Sequence, residues 1–143
     1  MTELNIYELI GEIIEHCQRI EHDLKIIYAI TKPGDYNYNL EETKKWNLGE
    51  IIIKIEELDH RNIFPFDLND EDYELLNSIR NERNFVCHEC FQNYEYIVDY
   101  HFKELEYEKV VKRITSFHQS SKRLSSAIEA IRDAIVKEYN RYN

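Results

Sequence analysis

A chain of 143 residues, 43% of them hydrophobic and 32% charged, can bury a real core and is too apolar to stay disordered. Three glycines and two prolines are too few for the turns of an all-β fold, and a net charge of −10 is wrong for a protein that coats nucleic acid. The start, Met1-Thr2-Glu3-Leu4-Asn5, is acidic where a targeting segment is basic, and no uncharged apolar run nears the roughly 20 residues of a membrane helix, so a cytoplasmic chain without membrane contact is expected.

The first predicted element is a long helix that Thr2 can cap. Ile6, Leu9, Ile10, Ile13, Ile14, Cys17, Ile20, Leu24, Ile27 and Tyr28 recur at three and four residues, with Glu8, Glu12, Glu15 and Lys25 largely off the stripe. Pro33-Gly34 ends it, and the polar, Tyr/Asn-rich stretch Asp35 to Leu40 reads as a loop. A second helix follows, strongest at Leu48, Ile51, Ile52, Ile55 and Leu58. Gly49 near its start would let another backbone approach closely. Asn62 to Asn69, around Pro65, reads as a loop. Asn69 or Asp70 can cap a third helix, with Glu71 and Asp72 matched to the positive end of its dipole. Its buried stripe is Leu75, Leu76, Ile79, Phe85 or Val86, and Cys90. Residues 93–102 fit a strand or a helix. A lone strand would leave its backbone groups unpaired, so an irregular or extended link is expected. The last helix runs from about Glu104 to Tyr139, on Leu105, Val110 or Val111, Ile114, Phe117, Leu124, Ile128, Ile131 and Ile135. The sum is one all-α domain over residues 1–143, an antiparallel bundle of four to five helices with short connections.

Charge is uneven along this chain. Residues 1–108 hold 10 basic and 25 acidic side chains, whereas residues 109–143 hold eight basic and three acidic ones. The basic end either pairs with acidic neighbours or offers a local surface for phosphate. The odd set of Cys17, Cys87 and Cys90 fits reduced thiols in a cytoplasm.

Chemistry-bearing residues gather in the third helix, in Leu76-Asn77-Ser78-Ile79-Arg80-Asn81-Glu82-Arg83-Asn84-Phe85-Val86-Cys87-His88-Glu89-Cys90. Arg80, Arg83, Asn84 and His88 can present one polar edge. Asn84 and His88 share a face at i, i+4. Arg83 and His88 stand about 140° apart on an ideal helix, so Arg83 must wrap round or the helix must distort. Histidine titrates where a general acid or base is useful, and arginine offers a fork of donors to phosphate oxygens. The spacing alone is a weak signal. Arg113-Ile-Thr-Ser-Phe-His118 repeats it in the last helix without the asparagine.

Arg83-Asn84, four residues and then His88, in the third helix of a bundle, resembles the catalytic motif of the HEPN ribonucleases. The Leu48-Gly49 pair resembles a recurring feature of bacterial members. The resemblance covers most of the chain. It implies a metal-independent endoribonuclease, a toxin or a defence or stress effector, that needs no cofactor. His88 would be the acid/base, Arg83 the stabiliser of the phosphorane and Asn84 an orienting residue, with Arg80 on the RNA. It further implies a homodimer whose two sites share a cleft, and an antitoxin protein as a possible partner. Toxins of this family paired with a nucleotidyltransferase antitoxin often carry a tyrosine two residues after the histidine. Here Cys90 stands there, which puts that mode of control in doubt.

Other readings compete. The polar edge is equally a solvated face pairing with Glu82 or Glu89. The chain would then be a catalytically inactive helical module that binds a partner protein or a nucleotide. Cys87-His88-Glu89-Cys90, with His101, invites zinc, but Cys17 is the only other thiol and buried cysteines at i, i+3 are simpler. A Cys87 nucleophile with His88 is weaker, since adjacent helical residues diverge by about 100°. The eleven tyrosines suit the edges of a core, and His16, His22, His60 and His118 suit helix surfaces.

Overall fold

The computed structural model describes residues 5–60 and 68–142, with side chains described as far as residue 140. Its elements are α1 (Ile6–Thr31), α2 (Tyr36–Thr43), α3 (Leu48–His60), α4 (Asp70–Asn84), a π-helical turn (Phe85–Glu89), α5 (Gln92–Glu95) and α6 (Tyr100–Tyr142). There is no strand among the described residues. The all-α bundle expected from the sequence is the fold. Its core joins Ile13, Ile20, Leu24 and Ile27 of α1 to Leu48, Ile51 and Ile55 of α3, Leu76 and Ile79 of α4, and Ile114, Leu124 and Ile128 of α6.

The helix directions follow from which residues meet. Arg123 binds Asp72 and Arg113 binds Glu82, so α4 runs antiparallel to α6. Tyr73 donates to Asp59 while Gly49 meets Arg80, so α4 also runs antiparallel to α3. In contrast, α1 and α6 run the same way: Glu12 meets His118, His16 meets Ser121 and Asp23 meets Arg132. The bundle therefore has antiparallel neighbours and one long parallel seam.

Several local expectations change. Asp35 to Leu40 is not a loop but the start of α2. Asp35 caps it through Tyr38 N at 2.9 Å, and the buried Asn39 amide donates to Ala29 O and Lys32 O at the end of α1. Those carbonyls lack helical partners, so a polar side chain is worth burying there. The link at 93–102 is mostly helical. It contains α5, and α6 starts at Tyr100, where Asp99 accepts from Phe102 N at 2.9 Å. Leu105 is not in the core: α6 reaches past the start of α1, and its first buried residue is Val110. The cap of α4 is Asn69, in a reciprocal box with Asp72. The loop expected at Asn62 to Asn69 lies largely outside the described residues, as does the Thr2 cap. Asn5 caps α1 as it stands, accepting from Tyr7 N at 2.9 Å.

Candidate active site

The segment carrying Arg80, Arg83, Asn84 and His88 begins as a capped α-helix and then changes its winding. Cys90 N bonds to Phe85 O at 2.9 Å, five residues back, in place of Val86 O. The Cys90 thiol takes Val86 O instead, at 3.1 Å. Turns of this kind are rare and frequent at functional sites. This one lies between Arg83 and His88 in the chain. Its slower winding brings residues five apart closer to one face than the roughly 140° of a regular helix allows.

Packing holds the segment against two helices. Phe85, Val86 and Cys90 are buried. Arg113 of α6 grips Glu82 through two bonds of 3.0 and 2.8 Å and lies 3.6 Å above the centre of the Phe85 ring. On the other side the buried Cys17 of α1 lies within electrostatic reach of Arg83 and Cys87. Burial pushes the Cys17 thiol up to about 11, and the Arg83 cation offsets part of that rise. Tyr7 stacks on Phe91 at 5.5 Å, and Tyr94 packs edge-on to Tyr107 at 5.0 Å, which seats α5 between α1 and α6.

Within this frame the expected residues stand in neighbouring places rather than in one pocket. His88 is exposed and lines a cleft of about 270 Å³ with Glu95 and Tyr96. Arg83 is half-buried on the side of α1, and Asn84 is exposed. Arg80 opens onto a separate groove of about 140 Å³ between α3 and α4, where a Cβ at Gly49 would lie 3.1 Å from its Cδ. Gly49 thus admits a side chain, not a backbone.

Six arginine side chains are described. Arg19, Arg113, Arg123 and Arg132 are each in an ion pair. Arg80 and Arg83 make no ion pair or hydrogen bond among the described residues, and neither do the side chains of Asn84 and His88. Glu82, the acidic residue next to Arg83 in the chain, is held by Arg113. The motif therefore keeps its donors available to solvent or to a ligand. The other Arg-x4-His spacing has the opposite fate. Arg113 is bound as above, and His118 bonds to Glu12 at 2.5 Å and packs at 5.4 Å against His16. Likewise the described arginines of the basic C-terminal stretch, Arg113, Arg123 and Arg132, pair with Glu82, Asp72 and Asp23. A larger cleft of about 390 Å³ between α1 and α6 is lined by charges that already pair, Arg132 with Asp23 and Arg19 with Glu15.

Two features escaped the sequence. One is the clamp of Arg113 on Glu82 and Phe85, which no local pattern marks. The other is an exposed apolar run that begins in the His88 cleft at Tyr96 and continues along the chain through Val98, Tyr100 and Phe102, Val98 being 98% exposed. The alternating aromatics of 94–102 were its visible sign. Among the described residues no group of three or more His, Cys, Asp or Glu is arranged to hold a metal ion, and no helix is long and apolar enough to cross a membrane.

Compared with known proteins, the chain matches no family model, no curated protein and no solved structure.

Proposed function

We propose that the chain is an endoribonuclease of the HEPN type, acting in the cytoplasm as a toxin or a defence effector. The observation that carries this reading is the set of unpaired polar side chains, Arg83, Asn84 and His88, on a helix that changes to π winding between the arginine and the histidine.

The chemistry follows from those groups. The 2′-hydroxyl of the RNA attacks the adjacent phosphorus while His88 accepts its proton. The 5′-oxygen leaves and takes a proton from the protonated imidazole of the same or a second His88, leaving a 2′,3′-cyclic phosphate. Arg83 faces the charge that develops on the non-bridging oxygens, the role a metal cation would otherwise fill. Asn84 orients the phosphate. One chain offers one His88 and one Arg83. A homodimer that covers the run at Tyr96 and Val98 would set two such pairs across one cleft, and the exposed apolar surface there supports that pairing.

The test is direct. Purified protein is incubated with RNA, with and without EDTA, beside His88→Ala and Arg83→Ala. Cutting that survives EDTA and is lost in both variants is the expected result. Cutting untouched by His88→Ala sinks the proposal. The same exposed run favours the rival reading of an inactive module that binds a partner protein. Wild-type protein that never cuts RNA but is captured through that run would leave that reading standing.

A further inference from the structure

All three cysteines converge on this segment, and the ribonuclease reading uses none of them. Cys87 is exposed, whereas Cys17 and Cys90 are buried. Cys87 interacts electrostatically with both other thiols. Cys87 on the π turn and Cys90 at its C-terminal cap flank His88 in the chain, and the Cys90 thiol holds the carbonyl that the π bond left without its usual amide. That thiol hydrogen is therefore part of the turn.

We propose that Cys87 and Cys90 form a reversible dithiol–disulfide pair that brackets His88, is oxidised by a small disulfide, and moves His88 out of its working position when closed. The exposed Cys87 thiolate attacks one sulfur of the small disulfide and expels a first thiolate. The Cys90 sulfur gives up its proton and attacks Cys87, expelling the second. The chain loses two hydrogens and the small disulfide becomes two thiols. Burial holds the Cys90 thiol above its ordinary range, which suits it to the resolving step and leaves the first attack to Cys87.

Closure cannot leave the turn as it is. Helical neighbours at i, i+3 hold their Cβ atoms about 5–6 Å apart, and a disulfide needs about 3.5–4.5 Å. The turn must tighten. Oxidation also removes the hydrogen that Cys90 donates to Val86 O. His88 lies between the two cysteines in the chain, so its backbone moves with the turn. The bearing of this on RNA cleavage rests on the ribonuclease reading above, whereas the thiol chemistry does not.

The experiment treats wild type, Cys87→Ser and Cys90→Ser with glutathione disulfide. Three things are read: the bond by mass spectrometry after thiol blocking, the His88 imidazole resonances by NMR, and RNA cleavage before and after dithiothreitol. Wild type is expected to form the Cys87–Cys90 bond, shift the His88 signals and lose cleavage about a hundredfold, the scale of a displacement near 1 Å, with full recovery on reduction. Cys90→Ser keeps a donor for Val86 O. It should stay active before treatment and trap glutathione on Cys87. A bond mapped to Cys17, glutathione left unresolved on Cys87 in wild type, or a Cys87–Cys90 bond that leaves the His88 signals in place would each overturn the proposal. If the bond forms and the His88 signals shift but reduced wild type cuts no RNA, the ribonuclease reading falls and the thiol pair stands.

Discussion

Arg83–His88 and Arg113–His118 share a spacing and nothing else. The first pair sits on a helix that changes its winding, with its donors unclaimed. The second sits on a continuous α-helix, its arginine clamped to Glu82 and its histidine to Glu12. The same residue types at the same interval are thus left unpaired in one place and bound into a seam in the other. What separates them is which neighbours arrive from other helices.

The largest effect tests that division most sharply. His88→Ala is expected to lower RNA cleavage by about 10²–10⁴-fold, the usual contribution of an acid/base group, at unchanged melting temperature. His118→Ala should do the reverse, keeping cleavage per folded molecule while lowering the melting temperature. Equal losses of cleavage in both variants would erase the distinction. Next comes Arg83→Lys, which keeps charge but not the fork, with an expected loss of about 10²-fold in kcat. Arg113→Ala should instead lower stability by about 1 kcal/mol in urea unfolding, because it removes a partly exposed ion pair and a ring contact.

Much of the fold was readable because apolar side chains recur at helical intervals, and the stripes from Ile6 to Tyr28, Leu48 to Leu58 and Ile114 to Ile135 became the core. What failed had tertiary causes. Tyr36–Thr43 is a helix docked by the buried Asn39, whose amide donates to carbonyls that the end of α1 presents to it. Leu105 fits the stripe of α6, yet it lies N-terminal to the part of α6 that packs on the core and stays exposed. For the site, residue types and spacing marked the segment, but the shift of one backbone bond from Val86 to Phe85 has no signature in side-chain identity. Nor did the sequence indicate that Glu82 would be held by Arg113 from α6.

Two smaller effects refine the contrast. Gly49→Ala puts a methyl group 3.1 Å from the Arg80 Cδ, which must swing aside. Stability should hold or rise, since alanine favours helix. KM for RNA should rise a few-fold if Arg80 helps to bind it, and an unchanged KM would remove Arg80 from the site. The smallest effect lies in the seam. Burial, and then the charge of His118, hold the His16 pKa below its ordinary 6.5. The folded chain then binds fewer protons than the unfolded one below that pH. The stabilising effect of neutral His16 is complete above pH 6.5. It declines as pH falls towards the lower folded-state value. Urea unfolding at pH 7.5 and 5.5 should show this decline, and His16→Gln should flatten it.

The reach of α6 beyond α1 has a consequence of another kind. From Tyr100 to Lys109 the helix buries no side chain, and it is held by the Asp99 cap and by Tyr94 against Tyr107. From Val110 to Ile135 it is pinned by the core. One unbroken helix therefore contains two units of unequal cooperativity. The outer turns can open and reclose while the inner ones stay shut, so amide hydrogens of the outer turns should exchange long before the rest. Fluctuations of these outer turns are in this way insulated from the global stability of the bundle.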